Sequence, residues 1–323
     1  MSNSRVGRPI TSMETSDLQA ADLHGLESQA TSSHATDFTA TGSVAEDLLV
    51  LEQSLYAWLA ECSGAVVAFS GGVDSAVVAY AAQHVLGSRS LAATADSASL
   101  ARHELTDACN VAAQIGIALR LVATDEVADP AYLKNDAQRC FHCKSHLFQS
   151  LGQIDEVRSG GWQILTGTNR DDLGDWRPGL RAADQYGARS PLAELGIGKE
   201  QVRALAQRWK LSVADKPASP CLSSRLAYGV EVTPERLAMI EAAEAELRLL
   251  GLVRLRVRFH EGNLARVEVP LDQLSTLIDT DIRRRLVKRF GQIGFKFITL
   301  DLEGFASGSL NRLIALSSSP PGV

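Results

Sequence analysis

The run Ala65-Val66-Val67-Ala68-Phe69-Ser70-Gly71-Gly72-Val73-Asp74-Ser75 decides the fold. Its first five residues form an apolar stretch of buried-strand length, the glycine pair permits a tight turn, and Val73 to Leu86 continues as a helical stretch. A strand that ends in glycines and leads into a helix places backbone N–H groups and the positive helix end around an anion. Gly71 and Gly72 let the chain approach a phosphate closely, while Ser70 and Ser75 carry hydroxyl donors. Asp74 cannot favour an anion by charge, so it either orients the loop or helps hold an accompanying cation. An ordinary Gly-Gly turn with a polar helix cap is the alternative, but six defined residues in a strand-helix setting are far more restrictive than a glycine pair.

The same alternation continues outward. Ser90 to Ala95 reads as a strand, Leu100 to Ile115 as a helix and Ala118 to Ala123 as a third strand. A helix over roughly Cys143 to Val157, a strand over Trp162 to Thr166 and a helix over about Lys199 to Trp209 complete the pattern. Such alternation implies right-handed βαβ units, hence an α/β fold with a parallel sheet covered on both faces. Upstream, Leu48, Leu49, Leu51, Leu55 and Leu59 recur at near-helical spacing and mark a first helix, whereas residues 1–43 are rich in Ser, Thr, Ala and Asp and read as a disordered tail.

From Ala214 to Val230 the chain is irregular, with Pro217, Pro220 and Gly229, and a domain boundary is expected there. The first domain is then 44–230 and a smaller second unit 231–318. In the second unit Thr233-Pro234 is a helix start, with Thr as N-cap and Pro at the first helical position. From Leu252 to His260, Val253, Leu255, Val257 and Phe259 alternate with Arg254, Arg256, Arg258 and His260. Ala265 to Val269 makes the hairpin partner, Gln273 to Phe290 a helix and Phe297 to Leu302 a strand, giving an αββαβ unit.

The 323 residues are 45% hydrophobic and 22% charged, ordinary for a globular protein with two domains. A formal net charge of -6 counts against a nucleic-acid-binding surface, which normally leaves a basic footprint. No stretch reaches the roughly 20 apolar residues needed to span a membrane, and the N-terminus lacks the pattern of a secretion signal, so a cytoplasmic protein is expected. Its five cysteines, Cys62, Cys109, Cys140, Cys143 and Cys221, are an odd number and make a disulfide framework the poorer explanation.

The hexapeptide Ser70 to Ser75 resembles the PP-loop signature of the ATP pyrophosphatase superfamily, whose members cut ATP between its α and β phosphates to adenylate a substrate. Four further segments resemble the LarE family, the sulfur transferases of nickel-pincer cofactor biosynthesis. They are Arg139-Cys140-Phe141-His142-Cys143-Lys144; Gly167-Thr168-Asn169-Arg170-Asp171-Asp172 with Trp176-Arg177-Pro178-Gly179; Pro220-Cys221-Leu222-Ser223-Ser224-Arg225; and the strand ending in Ala265-Arg266-Val267-Glu268. Together they span about Glu46 to Phe305. The resemblance implies a PP-loop domain, a C-terminal unit like the phosphoribosyl-aminoimidazole carboxylase fold, and a homo-oligomer. It also implies that Asp171 and Asp172 serve the nucleotide or its Mg2+, that Arg256 and Arg258 bind the phosphate of a nucleotide substrate, and that Glu268 lies near an inter-subunit metal site. Taken alone, Asp171 and Asp172 would also suit a solvated turn, and the arginines a solvated sheet face.

Cys62 and Cys109 fall in apolar-patterned helices, where a thiol behaves as a small hydrophobe. Cys140 and Cys143 are spaced to share a metal or form a redox pair, with zinc, helped by His142 or His146, as one candidate. Cys221 lies in a Pro-rich connector followed by Ser223, Ser224 and Arg225, a setting that leaves a thiol exposed beside a cation. In the simplest relatives implied by the resemblance, one cysteine at this place is sacrificed: it attacks the adenylated carboxylate and is left as dehydroalanine. In others it joins a Cys-x-x-Cys to hold a 4Fe-4S cluster with one iron open for sulfide. All three thiols are present here, which favours the cluster-dependent version. The function expected is therefore ATP-dependent conversion of the carboxylates of a pyridinium dicarboxylate mononucleotide to thiocarboxylates through acyl-adenylates. A tRNA thiolase, an amide-forming synthetase and a non-catalytic ATP-sensing module are the rivals.

Overall fold

A computed structural model of the chain describes residues 44–174 and 178–306. The expected N-terminal tail, Trp176, Arg177 and residues 307–318 of the second unit lie outside the described residues.

The first layer system runs α1 (Val44–Ala60), β1 (Ala65–Ala68), α2 (Val73–Leu86), β2 (Ser90–Asp96), α3 (Arg102–Ile115), β3 (Ala118–Ala123), α4 (Pro130–Leu133), α5 (Arg139–Gly152), α6 (Asp155–Arg158), β4 (Gln163–Leu165), α7 (Pro178–Gln185), α8 (Pro191–Glu194) and α9 (Lys199–Arg208). Its four strands pair in parallel in the order β3-β2-β1-β4. β1 sits inside the sheet and is covered on both faces: Ala65 and Val67 pack under α1, α2 and α9, while Val66 packs against α5 and α7. That burial is why the strand reads as an unbroken apolar run, as central parallel strands do.

The fifth helix differs at both ends from the stretch read in the sequence. The helix expected from Cys143 begins at Arg139 instead, and α6 is a separate short helix. Only Leu147, Phe148 and Leu151 of α5 carry its deeply buried apolar stripe, so the polar first turn gave periodicity nothing to detect. The shift puts Cys140 and Cys143 on the opening turns of a helix. Between Asp172 and Lys199, α7 and α8 fill a stretch for which no helix was expected.

The second sheet follows α10 (Pro234–Arg248) and comprises β5 (Arg256–His260), β6 (Leu264–Glu268) and, after α11 (Leu274–Ile278) and α12 (Thr280–Ile293), β7 (Phe297–Leu300). Its order is β5-β6-β7, with an antiparallel hairpin and a parallel third strand. Thr233 caps α10 by accepting a 3.3 Å hydrogen bond from the Arg236 N–H, with Pro234 at the first turn. The single helix expected over Gln273 to Phe290 is broken at Asp279, whose carboxylate accepts from the Asp281 and Ile282 N–H groups and starts α12. The alternation of arginines on β5 does not mark a solvated face. Arg256 and Arg258 are both buried, and only Arg254, ahead of the strand, is exposed.

Phe259, Phe290 and Phe295 form the centre of the second core. Tyr132, Leu222 and Leu226 join it from chain that precedes residue 231. The connector is stitched down by backbone hydrogen bonds: Ala227 N–H to Phe259 O at 2.9 Å, Val232 N–H to Leu133 O at 2.9 Å and Leu222 N–H to Ser99 O at 2.8 Å. Asn135 adds amide hydrogen bonds to the carbonyls of Ala227 and Val230, each 2.8 Å. Among the described residues no helix is long and apolar enough to cross a membrane. Because Phe259 touches both the sheet and the connector, Phe259→Ala is expected to cost about 3–5 kcal/mol. A urea unfolding curve with a midpoint like that of the wild type would contradict this packing.

Candidate active site

The turn after β1 is built by local hydrogen bonds and by crowding. Ser75 Oγ donates to Gly72 O at 3.0 Å, and the Gly72 N–H donates to Ser70 Oγ at 3.3 Å. Gly71 has φ +70, and a Cβ there would meet Ala108 of α3 at 2.8 Å, so only glycine fits. On the other side Gly167, just past β4, lies so close that a Cβ would be 2.7 Å from the Ser75 nitrogen. The loop is thus pressed between α3 and the end of β4, at the carboxyl edge of the parallel sheet where open α/β folds bind ligands.

Asp74 faces this edge. Its carboxylate accepts a 2.9 Å hydrogen bond from the Asn169 side chain, and burial together with the neighbouring Asp172 raises its pKa against that hydrogen bond. Asp172 is buried and pairs with Lys199 at 3.2 Å. Ser70, Gly72, Asp74, Ser75 and Asp172 line a cavity of about 870 Å3. Asp171 turns away from it: its carboxylate accepts from the Lys199 N–H at 2.7 Å, capping α9, and that hydrogen bond holds its pKa below the usual range. Of the adjacent acids, the fold brings Asp172 to the loop and gives Asp171 to a helix terminus.

The three thiols singled out in the sequence come to the wall of one cavity. Cys140, Cys143 and Cys221 line one cavity of about 550 Å3, which shares Ala68, Ser70, Cys140 and Lys144 with the loop cavity. Cys140 and Cys221 are exposed, whereas burial, then the neighbouring Cys221, pushes the Cys143 thiol up to about 12. Among the described residues no group of three or more His, Cys, Asp or Glu side chains is already gathered as a metal site. His142 and His146 turn to Asp129, at 3.5 and 3.2 Å, instead of joining the thiols. Cys62 is buried in the first core, as its apolar setting suggested.

Arg225 holds the Cys221 segment from behind. Its guanidinium donates to the Pro220 carbonyl, to Cys221 O at 2.9 Å and to Glu244 Oε1 at 3.0 Å, with the Arg225 and Glu244 side chains 5% and 0% exposed. Glu244 also accepts from Arg248 and from the Val257 N–H. Beyond it, Arg258 donates twice to Glu268, both at 3.0 Å, and once to Ser224 O. Arg266 donates to the same carboxylate at 3.1 Å. Both Glu268 oxygens are therefore occupied by guanidinium groups. Arg256 differs: it stacks over Phe305 with its guanidinium carbon 4.7 Å from the ring centre and has no carboxylate partner among the described residues. Burial, then the charges of Arg258 and Arg225, lower its pKa.

Comparison with known proteins gives the family of the chain. The NAD synthase family matches residues 47–140, the segment that contains the glycine turn. Pyridinium-3,5-bisthiocarboxylic acid mononucleotide synthase of Lactiplantibacillus plantarum is 35% identical over 82% of this chain and 95% of its own length. The chain belongs to the LarE family. Uncharacterized proteins of Synechocystis, 46% identical over 81% of this chain and 97% of their own, and of Methanocaldococcus jannaschii, 29% identical over 75% and 90%, are also similar to it.

Sequence reasoning missed Asn169 as the partner of Asp74 and Glu244 as the partner of Arg225, because each acts across a long sequence separation. Asn169 stood inside a segment that matched the LarE family, so a signal existed for it; Glu244 sits on a helix that buries acidic as well as apolar side chains and had none. The unequal burial of the thiols has a direct consequence. Iodoacetamide at pH 8 should label Cys140 and Cys221 before Cys143, and raising the pH should speed Cys143 as its thiolate forms. Peptide mapping that finds Cys143 modified first would contradict the placement of α5.

Proposed function

We propose that this LarE-family chain is an ATP-dependent sulfur transferase that converts the carboxylates of a pyridinium dicarboxylate mononucleotide to thiocarboxylates through acyl-adenylates. The observation that carries the reading is that the cavity of the glycine turn adjoins the cavity of the three cysteines, with Ser70 and Cys140 in both linings. The Lactiplantibacillus relative is a synthase of a pyridinium bisthiocarboxylic acid mononucleotide, and the corresponding dicarboxylate is the substrate class this suggests. Chemically, a carboxylate has no good leaving group, and adenylation provides AMP.

In this reading Ser70, Gly71, Gly72 and Ser75 cradle the pyrophosphate end of ATP with N–H and hydroxyl donors. Asp74 and Asp172, two acids on one cavity wall, would hold Mg2+, which would offset phosphate charge. The substrate phosphate goes to Arg256, whose guanidinium has no carboxylate to displace among the described residues. Arg258 is held by Glu268 and braces the strand beside it. Cys140, Cys143 and Cys221 have the donor chemistry of a three-cysteine 4Fe-4S site, and such a cluster would supply an open iron to carry sulfide. Arg225 keeps the Cys221 carbonyl fixed so that the thiol stays at the cavity wall. The PP-loop unit would comprise residues 44–230 and the substrate unit 231–318.

Exposure of Cys221 also suits the sacrificial route, so the experiment must separate the two. With ATP, the mononucleotide and sulfide under anaerobic conditions, the wild type should release AMP and pyrophosphate over many turnovers and keep Cys221 intact by mass spectrometry. Asp74→Ala should lose AMP release by about 100-fold or more through lost placement of the phosphates, whereas Cys221→Ala should retain AMP release and lose thiocarboxylate. Cys221 lighter by one hydrogen sulfide per product would establish the sacrificial route. Absence of mononucleotide-dependent AMP in the wild type would refute the enzyme assignment.

A further inference from the structure

The thiol cavity contains an acid that none of these roles uses. Glu126 lies in its wall and is 1% exposed. One carboxylate oxygen accepts a 3.3 Å hydrogen bond from Ser99, and Oε2 is buried without any hydrogen-bond partner among the described residues. The Thr124 hydroxyl, in the same wall, is likewise buried and unpartnered.

A carboxylate kept from water is costly unless a cation or several donors face it. The cationic residues of the cavity do not provide this. Arg139 donates to Asn135 and to Ser223 O, Arg225 is committed to Glu244, and no ion pair within the described residues joins either of them or Lys144 to Glu126. The cavity wall therefore holds a buried carboxyl group with one oxygen left without a hydrogen-bond partner among the described residues. Unsatisfied buried groups of this kind concentrate where a ligand completes them.

We propose that Glu126 recognises the positive charge of the ligand's pyridinium ring, with the Thr124 hydroxyl beside it, and so selects charged rings over neutral ones of the same shape. The inference rests on the substrate reading above and adds the residue that makes the ring's charge a requirement. A pyridinium nitrogen bonded to ribose has no N–H, so neutral hydrogen-bond acceptors cannot read it as they would an amine. A buried anion can, because its attraction for a delocalised cation needs no directional donor and is strong where water is excluded. The same carboxylate repels a ligand that brings only negative charge, which adds discrimination.

The test compares the pyridinium dicarboxylate mononucleotide with its 1,4-dihydropyridine counterpart, which keeps the shape, carboxylates and phosphate but loses the ring charge. Binding of each is measured by calorimetry on the full-length wild type and on Glu126→Gln, which preserves size and the capacity to accept from Ser99. The wild type should prefer the charged ring by about tenfold or more, and Glu126→Gln should weaken the charged ligand by about tenfold while changing the neutral one by less than about twofold. Equal weakening of both ligands, or an unchanged preference, would overturn the inference. Should Glu126→Gln fail to fold, the wild type alone still decides, since equal affinity for the two rings excludes charge recognition. Binding of neither ring by a wild type that still binds ATP would instead remove the substrate reading, and with it this inference.

Discussion

The buried pair of Arg225 and Glu244 fixes the connector that carries Cys221 at the wall of the thiol cavity. Glu244 is wholly enclosed on α10 and accepts from Arg225, Arg248 and the Val257 N–H, so one carboxylate ties a helix, the first residues of β5 and the connector. Arg225 spends its remaining donors on the carbonyls of Pro220 and Cys221. Removing either partner would leave an uncompensated charge in the interior, typically a loss of about 3–5 kcal/mol. The connector has no regular ladder beyond a short 3-10 turn, and without this anchor the position of Cys221 would rest on a few backbone hydrogen bonds. The proposed transfer of sulfur depends on a thiol being held where an activated carboxylate can be delivered.

Charge is distributed unevenly around that anchor. Arg258 and Glu268 neutralise each other and receive Arg266, forming a paired layer behind the site. Arg256 and Glu126 are the exceptions, a guanidinium whose main contact is an aromatic ring and a carboxylate with one long hydrogen bond. Interiors seldom leave such groups uncompensated, because desolvation of a charge outweighs a weak contact. In the proposed reading, a guanidinium and a carboxyl group without a counter-ion among the described residues suit a ligand that is itself a zwitterion with a phosphate. The neighbouring loop is organised differently, by glycines that fit only because no Cβ intrudes and by neutral hydroxyl and N–H donors.

Much of the fold was legible because the first sheet follows simple periodicities. β1, β2 and β3 lie where apolar runs alternate with helical stretches, and the glycine turn follows from Gly71 and Gly72. The second unit's order of elements was also readable from Thr233-Pro234 and the alternation on β5. What escaped was whatever depends on the third dimension. Alternation showed that Arg256 and Arg258 share a strand face, but not that the connector and Phe305 cover it. The start of α5 was misplaced by four residues because its first turn lacks an apolar stripe. The family segments singled out Asp171 and Asp172 together, yet a 3-10 turn capped by Asn169 sends them to different partners. Glu126 follows Asp125 in a polar loop and offered no pattern; only its burial beside the thiols reveals it.

The central claim is that Cys140, Cys143 and Cys221 act as one site although they arrive from a helix and a distant connector. The most direct measurement is the iron and acid-labile sulfide content of protein reconstituted anaerobically, for the wild type and for Cys140→Ala, Cys143→Ala and Cys221→Ala. The account predicts about four iron and four sulfide per wild-type chain, with marked loss in every variant, since each thiolate is one of three protein ligands. A wild type without iron above trace, or a Cys221→Ala variant that assembles a full complement, would contradict it.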